Sequence, residues 1–204
     1  MDNYIEEILF GSQASEYEMF LTGGNNFRKD IYPAYKANRR NVPKPKHIQA
    51  LRRHLIEVEG AVVSEGQEAD DELGIRQTHE TVICSIDKDL LMIPGKHYNF
   101  VKQEHSMVSN AEGRYNFYQQ LLTGDKTDNI PGIYNLGPVK AAVLLAGCDK
   151  VEEYNAVVLK AYQQEFPHCS VEDVVKHIDL IGRLLWIRRK ENEVWKFEVD
   201  RGQA

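Results

Sequence analysis

The spacing of apolar positions opens the chain on a helix. Tyr4, Ile5, Ile8 and Leu9 form one stripe among acids between Asp2 and Phe10, and Gly11-Ser12 ends it. Tyr17 to Thr22 alternates as a short strand does, until Gly23-Gly24-Asn25-Asn26 breaks the pattern. Val42-Pro43-Lys44-Pro45 reads as a stiff basic connector and Lys46 to Val58 as an amphipathic helix. Gly60 to Ser64 predicts a buried strand and Glu68 to Glu80 a helix. Thr81 to Ile86, largely β-branched and uncharged, predicts a central parallel strand, and Tyr98 to Val101 an edge strand. Glu112 to Leu122 predicts a helix that turns Tyr115, Tyr118 and Leu122 inward. From Pro138 to Gly147 the chain has the N1 proline and C′ glycine of another helix. Val151 to Phe166 and Val171 to Arg188 continue the series. The second carries Val174, Val175, Ile178, Ile181, Leu185 and Trp186 on its stripe, and Arg188-Arg189-Lys190 suits its C-terminus as a cap. Trp195-Lys196-Phe197 predicts a short terminal strand. Strands alternate with helices up to about residue 110 and helices dominate after it, which predicts an α/β domain over 1–110 and a helical region over 111–204.

Acids and glycines interrupt this pattern at three places. In Leu122-Thr123-Gly124-Asp125-Lys126-Thr127-Asp128-Asn129-Ile130-Pro131-Gly132, Asp125 and Asp128 are three apart, which on a helical turn puts both carboxylates on one face. Such a pair suits a hard divalent cation. Gly132 and Gly137 then border a short apolar loop that leads into the helix at Pro138, an arrangement whose free backbone N–H groups suit a phosphate. Glu68-Ala69-Asp70-Asp71-Glu72 opens a predicted helix, where acids complement the macrodipole. Four acids in five positions also repel one another unless a cation sits among them. Asp87-Lys88-Asp89 follows the best strand, where α/β sheets gather ligand groups, although an Asp-rich turn capping the next helical piece has the same sequence.

Composition redirects the reading only at one segment. The 204 residues carry a formal charge of −6, 42% hydrophobic and 27% charged positions, so the chain is globular and acidic. Between Arg28 and Arg53, however, nine basic residues oppose Asp30 alone, a local +8. Aromatic residues are mixed into Phe27 through Arg40, which suits single-strand or flap binding, with bases on rings and phosphates on cations. A surface loop with Tyr32 and Tyr35 packed back on the core explains that composition equally well. Cys84, Cys148 and Cys169 show no pairing or zinc spacing, and no membrane-length apolar run or signal pattern is present, so a reducing cytosol is the expected compartment.

Taken together, Phe27-Arg28-Lys29 through Tyr35-Lys36-Ala37-Asn38-Arg39, Glu68-Ala69-Asp70-Asp71, Asp87-Lys88-Asp89, Gly124-Asp125 through Gly132, and Leu136-Gly137-Pro138-Val139-Lys140-Ala141-Ala142 resemble the 5′ nucleases. These are flap endonucleases and 5′–3′ exonucleases, with bacteriophage members most similar. The resemblance implies a parallel-sheet, PIN-like core followed by a helix–hairpin–helix (H3TH-like) DNA-binding region. It implies Glu68, Asp70 and Asp71 as ligands of a first metal and Asp87, Asp89, Asp125 and Asp128 as ligands of a second, filled by Mg2+ or Mn2+. It places Lys36 and Arg39 at the scissile phosphate or threaded strand, Tyr35 under a base, and Arg28 and Arg40 on DNA. Gly132, Gly137 and Lys140 fall in a hairpin that grips duplex backbone, with a potassium ion.

The implied activity is metal-dependent hydrolysis of DNA or RNA-primer phosphodiesters in phage replication, by a monomer in the bacterial cytoplasm acting on 5′ ends, flaps or RNA–DNA hybrids. Two features depart from the family. Its opening strand with an Asp-Gly-Asp-like end has no counterpart here, and Thr22-Gly23-Gly24 stands where a further metal-associated Asp is expected. The first metal set is thus short of ligands. A truncation at the start codon, a separate chain supplying that strand, or a structure-specific DNA-binding module with impaired catalysis accommodates the shortage. An RNA-cleaving relative with a similar core is a third reading.

Overall fold

A computed structural model describes residues 2–199 and divides the chain into two compact units, each assembled from separated stretches. Unit 1 takes Met1–Phe27, Asn41–Gly113 and Ile187–Glu193; unit 2 takes Arg28–Arg40, Arg114–Trp186 and Val194–Ala204. The main division falls between Gly113 and Arg114, near the expected one at 110, and two short segments cross it. The basic stretch 28–40 goes with the helical unit, and 187–193 goes with the α/β unit.

Unit 1 holds α1 (Asp2–Ser12), β1 (Phe20–Thr22), α3 (Ile48–Glu57), β2 (Val62–Ser64), α4 (Ala69–Arg76), β3 (Val82–Cys84), β4 (Gly95–Asn99) and β5 (Glu104–Val108). The expected parallel pairing exists in two small pieces. β1 runs parallel to β2, with Phe20 opposite Val62, and β3 runs parallel to β4, with Val82 opposite Lys96. The expected edge strand at Tyr98 is instead the middle strand, because β5 returns antiparallel on its other side. β5 (Glu-His-Ser-Met-Val) escapes the sequence reading because four of its five residues are exposed, so no apolar alternation marks it. Ile83, Leu90, Met92, Ile93 and Tyr98 form the buried centre of this unit.

Unit 2 is built on α6 (Pro138–Leu144), α7 (Val151–Glu165) and α8 (Val171–Leu185), together with the later part of α5 (Asn110–Thr123); the short α2 (Phe27–Ile31) leads into it. In α5 the deepest positions include Phe117, Leu121 and Leu122, with Tyr118 beside them. Tyr162 donates its hydroxyl to Leu121 O at 2.7 Å, fastening α7 to α5. Trp195 and Phe197 form no strand. Phe197 is buried and the Trp195 ring lies on Gly182, where a Cβ would sit 2.0 Å from a ring carbon. Among the described residues no helix is long and apolar enough to cross a membrane.

The C-terminus of α8 is satisfied by a residue the pattern did not suggest. Arg28, expected on DNA, is only 2% exposed, and its guanidinium donates to Leu184 O at 2.8 Å and Trp186 O at 2.7 Å. A buried guanidinium filling the orphan carbonyls of a helix end cannot also reach a phosphate, so this expectation is corrected. Arg188 and Arg189, expected as that cap, serve unit 1. Arg188 donates to Gln67 Oε1 and Glu193 O and lies over the Phe27 ring, while Arg189 donates to Met92 O.

Candidate functional site

Within unit 1, the acids follow the carboxyl ends of β2 and β3. Glu68 is the N-cap of α4 and is buried; Asp70, half-buried, and Asp71 lie on its first turn. Asp71 is fully enclosed at 0% exposure. One carboxylate oxygen accepts the Glu68 N–H at 2.9 Å and the other the Arg188 N–H at 3.0 Å. Charge-assisted bonds from two backbone amides make this carboxylate a strap between α4 and the 187–193 segment. The sequence also placed this carboxylate among the metal ligands, and each oxygen keeps a further lone pair beyond these bonds. Beyond β3, the exposed Asp87 caps a short 3₁₀ turn, its Oδ1 accepting Asp89 N at 2.9 Å; Asp89 is half-buried. Thr22, at the end of β1, accepts the Ala69 N–H through Oγ1 at 3.0 Å and so helps cap α4.

Unit 2 brings a basic loop and an acidic turn together. Asp125 and Asp128 lie on no helical turn. Asp125 and Ile130 exchange two backbone bonds, of 2.9 and 2.7 Å, that close the loop between them. Asn129 takes φ +58° inside it, a conformation that Asn tolerates better than most residues. Asp125 Oδ1 accepts Thr127 N at 2.7 Å and so shapes the turn. Gly124 and Gly132 meet at its base. A Cβ on Gly132 would lie 2.1 Å from the Thr123 carbonyl carbon, and one on Gly124 2.4 Å from Gly132 N, so both positions exclude a side chain.

Asp128 is where the expected residues meet. Its Oδ1 accepts Arg39 Nη2 at 2.5 Å; its Oδ2 accepts the Tyr35 hydroxyl at 3.1 Å and lies 3.4 Å from Lys36 Nζ. Lys36 takes φ 53°, with its ammonium 4.9 Å from the Tyr35 ring centroid. Tyr35 itself is 3% exposed, so its ring is core and not a platform for a base, which corrects that expectation. Two residues missed by the sequence reading, Asn38 and Asn129, fasten the loops together. Asn38 Nδ2 donates to Lys126 O and Thr127 O, both at 3.2 Å, and Asn129 Nδ2 donates to Ala34 O at 2.8 Å. Asn in a turn-rich, polar stretch was the available signal. Arg40 is exposed, with a bond to Pro33 O.

The loop that follows leaves Gly137 exposed as the N-cap of α6, with open space around its Cβ position, while Lys140 Nζ donates to Asn135 O at 2.8 Å. The acids offer hard oxygen donors, the kind that Mg2+ or Mn2+ takes. Among the described residues, no three His, Cys, Asp or Glu side chains gather into a group able to hold a metal ion. Within their own units Asp71 accepts backbone amides and Asp128 accepts side-chain cations, and the acids match a hard divalent ion in donor type.

Comparison with known proteins agrees with this arrangement of elements. A thermostable DNA polymerase I of Thermus filiformis is 32% identical over 193 residues, covering 86% of this chain and 22% of the polymerase. A 5′–3′ exonuclease of Aquifex aeolicus is 29% identical over 168 residues, covering 72% of this chain and 57% of that one. The chain thus spans only part of the relatives it matches. In three dimensions the phage T5 protein co-crystallised with metal ions superposes at a TM-score of 0.57 with 15% identity, covering 90% of this chain and 88% of its own, which shows a shared fold. Residues 8–120, more than half of the chain, match the model of the 5′–3′ exonuclease N-terminal, resolvase-like domain, and the chain belongs to that family.

Proposed function

We propose that the chain is a divalent-cation-dependent nuclease that acts on the 5′ ends or flaps of DNA during replication. The observation that carries this reading is the convergence on Asp128 of Lys36 and Arg39, 89 residues away in the case of Arg39, in a member of the 5′–3′ exonuclease family. Two cations beside one acidic turn suit a strand whose backbone must be held. Mg2+ or Mn2+ is the proposed cofactor. The loop from Gly132 to Lys140 is the proposed H3TH-like backbone grip, with a potassium ion. A phage source, a monomeric state, a cytoplasmic location and use of RNA–DNA hybrids complete the proposal.

A DNA-binding module without cleavage is the second reading. The commitment of Asp71 and Asp128 to partners within the protein favours it. One assay separates the two. A 5′-end-labelled flap duplex is incubated with the wild-type chain and with Asp87→Asn, in Mg2+ and in EDTA. Asn can still accept the Asp89 N–H, so the turn persists while the charge is lost. The nuclease reading expects Mg2+-dependent flap release that falls by about a hundredfold in the variant. Flap binding with no Mg2+-dependent product would establish the module instead.

A further inference from the structure

We infer that the Asp128 carboxylate is an internal stand-in for a nucleic-acid phosphate, an autoinhibitory latch that occupies Lys36 and Arg39 until a polyanionic strand displaces it. This rests on reading the chain as a nucleic-acid binder. A phosphodiester presents two anionic oxygens to a guanidinium much as a carboxylate does. Asp128 already fills that place, with Oδ1 on Arg39 and Oδ2 on Lys36 and Tyr35. The Arg39 side chain is 48% exposed and that of Asp128 16%, so water reaches the ion pair from the Arg39 side and screens it.

The contacts between the two loops divide into those that use the carboxylate and those that do not. Lys36 N–H donates to Asp128 O at 2.8 Å, Arg39 Nε–H to Thr127 O at 3.2 Å, Asn38 to Lys126 O and Thr127 O, and Asn129 to Ala34 O. All of these end on backbone carbonyls. They keep the basic loop and the acidic turn docked when the carboxylate lets go. Release therefore turns the already positioned Arg39 guanidinium toward the strand, with no loop to refold. The strand meets a preorganised cation, and a weak or poorly charged ligand does not open it.

The test is equilibrium binding of a fluorescent 5′-flap duplex to the full chain in EDTA, across a salt series, with melting curves to show that each variant folds. Asp128→Asn keeps the shape and removes the latch charge. It is expected to bind roughly three- to tenfold tighter at low salt, with a salt slope steeper by about one to two. Asp125→Asn removes the same charge from the same turn but touches neither cation, and is expected to gain less than about twofold. Equal gains in the two variants, or no gain, would overturn the latch. A folded wild type that binds no flap DNA would overturn the nucleic-acid reading instead. In the wild type, added oligonucleotide is expected to shift the Arg39 Nη–H resonances while the side-chain amides of Asn38 and Asn129 stay in place. This holds the latch to account even if Asp128→Asn does not fold. Movement of all three together would mean that the loops separate, which also overturns it.

Discussion

Asp71 and Asp128 carry the same charge into opposite surroundings. In unit 1, Asp71 is sealed from water and held by the backbone amides of Glu68 and Arg188. In unit 2, Asp128 sits near the surface and is held by the side chains of Arg39, Lys36 and Tyr35. Backbone amides cannot leave without the fold opening, whereas surface cations exchange partners at little cost. The same residue type at two sites that resemble metal ligands is thus a structural strap in one unit and an exchangeable contact in the other. Arg28 and Arg39 repeat the contrast among the bases. They come from one short basic run, yet one is buried at the end of α8 and the other lies in solvent.

The sharpest break in this comparison is Asp71→Ala. It orphans two buried N–H donors and should cost about 3 kcal/mol, read as a lowered denaturant midpoint. Asp71→Asn, which keeps an acceptor, should cost less. Arg28→Ala leaves Leu184 O and Trp186 O without their donor and should cost about 2 kcal/mol. Its exposed counterpart Arg39→Ala should change stability by no more than about 0.5 kcal/mol, and Asp128→Ala by about 1 kcal/mol at most. A loss at Arg39 as large as that at Arg28 would erase the distinction.

A smaller, pH-dependent effect is common to the two units. In unit 1, burial holds the imidazole of the enclosed His97 below its ordinary pKa, partly offset by its bond to Ile93 O. In unit 2, burial also lowers His177, which is partly exposed beside Tyr162 and Phe166. For a base lowered by folding, the unfolded chain binds more protons in the window between the two pKa values. Stability is therefore complete above about pH 6.5, the ordinary histidine value, and declines as pH falls below it. The melting temperature should drop between pH 7 and pH 5, and His97→Gln should flatten part of that slope. A wild-type melting temperature independent of pH over this range would contradict the assignment.

Long periodic segments were legible in the sequence because burial on one helical face leaves a repeat that can be read directly. α7 and α8 lie within a residue or a few of the expected positions, and Val174, Ile178 and Ile181 are buried as the stripe implied. What escaped depends on partners distant in sequence. β5 is exposed along most of its length and has no apolar signature. Tyr35 could be read equally as a stacking platform or as core until its ring was found at 3% exposure. Whether an acid receives amides or cations is decided by residues up to 117 positions away, as with Asp71 and Arg188, and local spacing carries no record of that. The acidic turn was recognised as chemically important, but its helical geometry was not realised. Gly124 and Gly132 force a tight approach, and the Asp125–Ile130 bridge closes the loop.

The most direct measurement is of polarity. Two duplexes of identical sequence and length are compared, one with a single-stranded 5′ arm and one with a 3′ arm, each labelled on the arm and incubated with the wild-type chain in Mg2+. The account predicts release of the 5′ arm at a rate well above that of the 3′ arm. Equal rates, or faster loss of the 3′ arm, would contradict it.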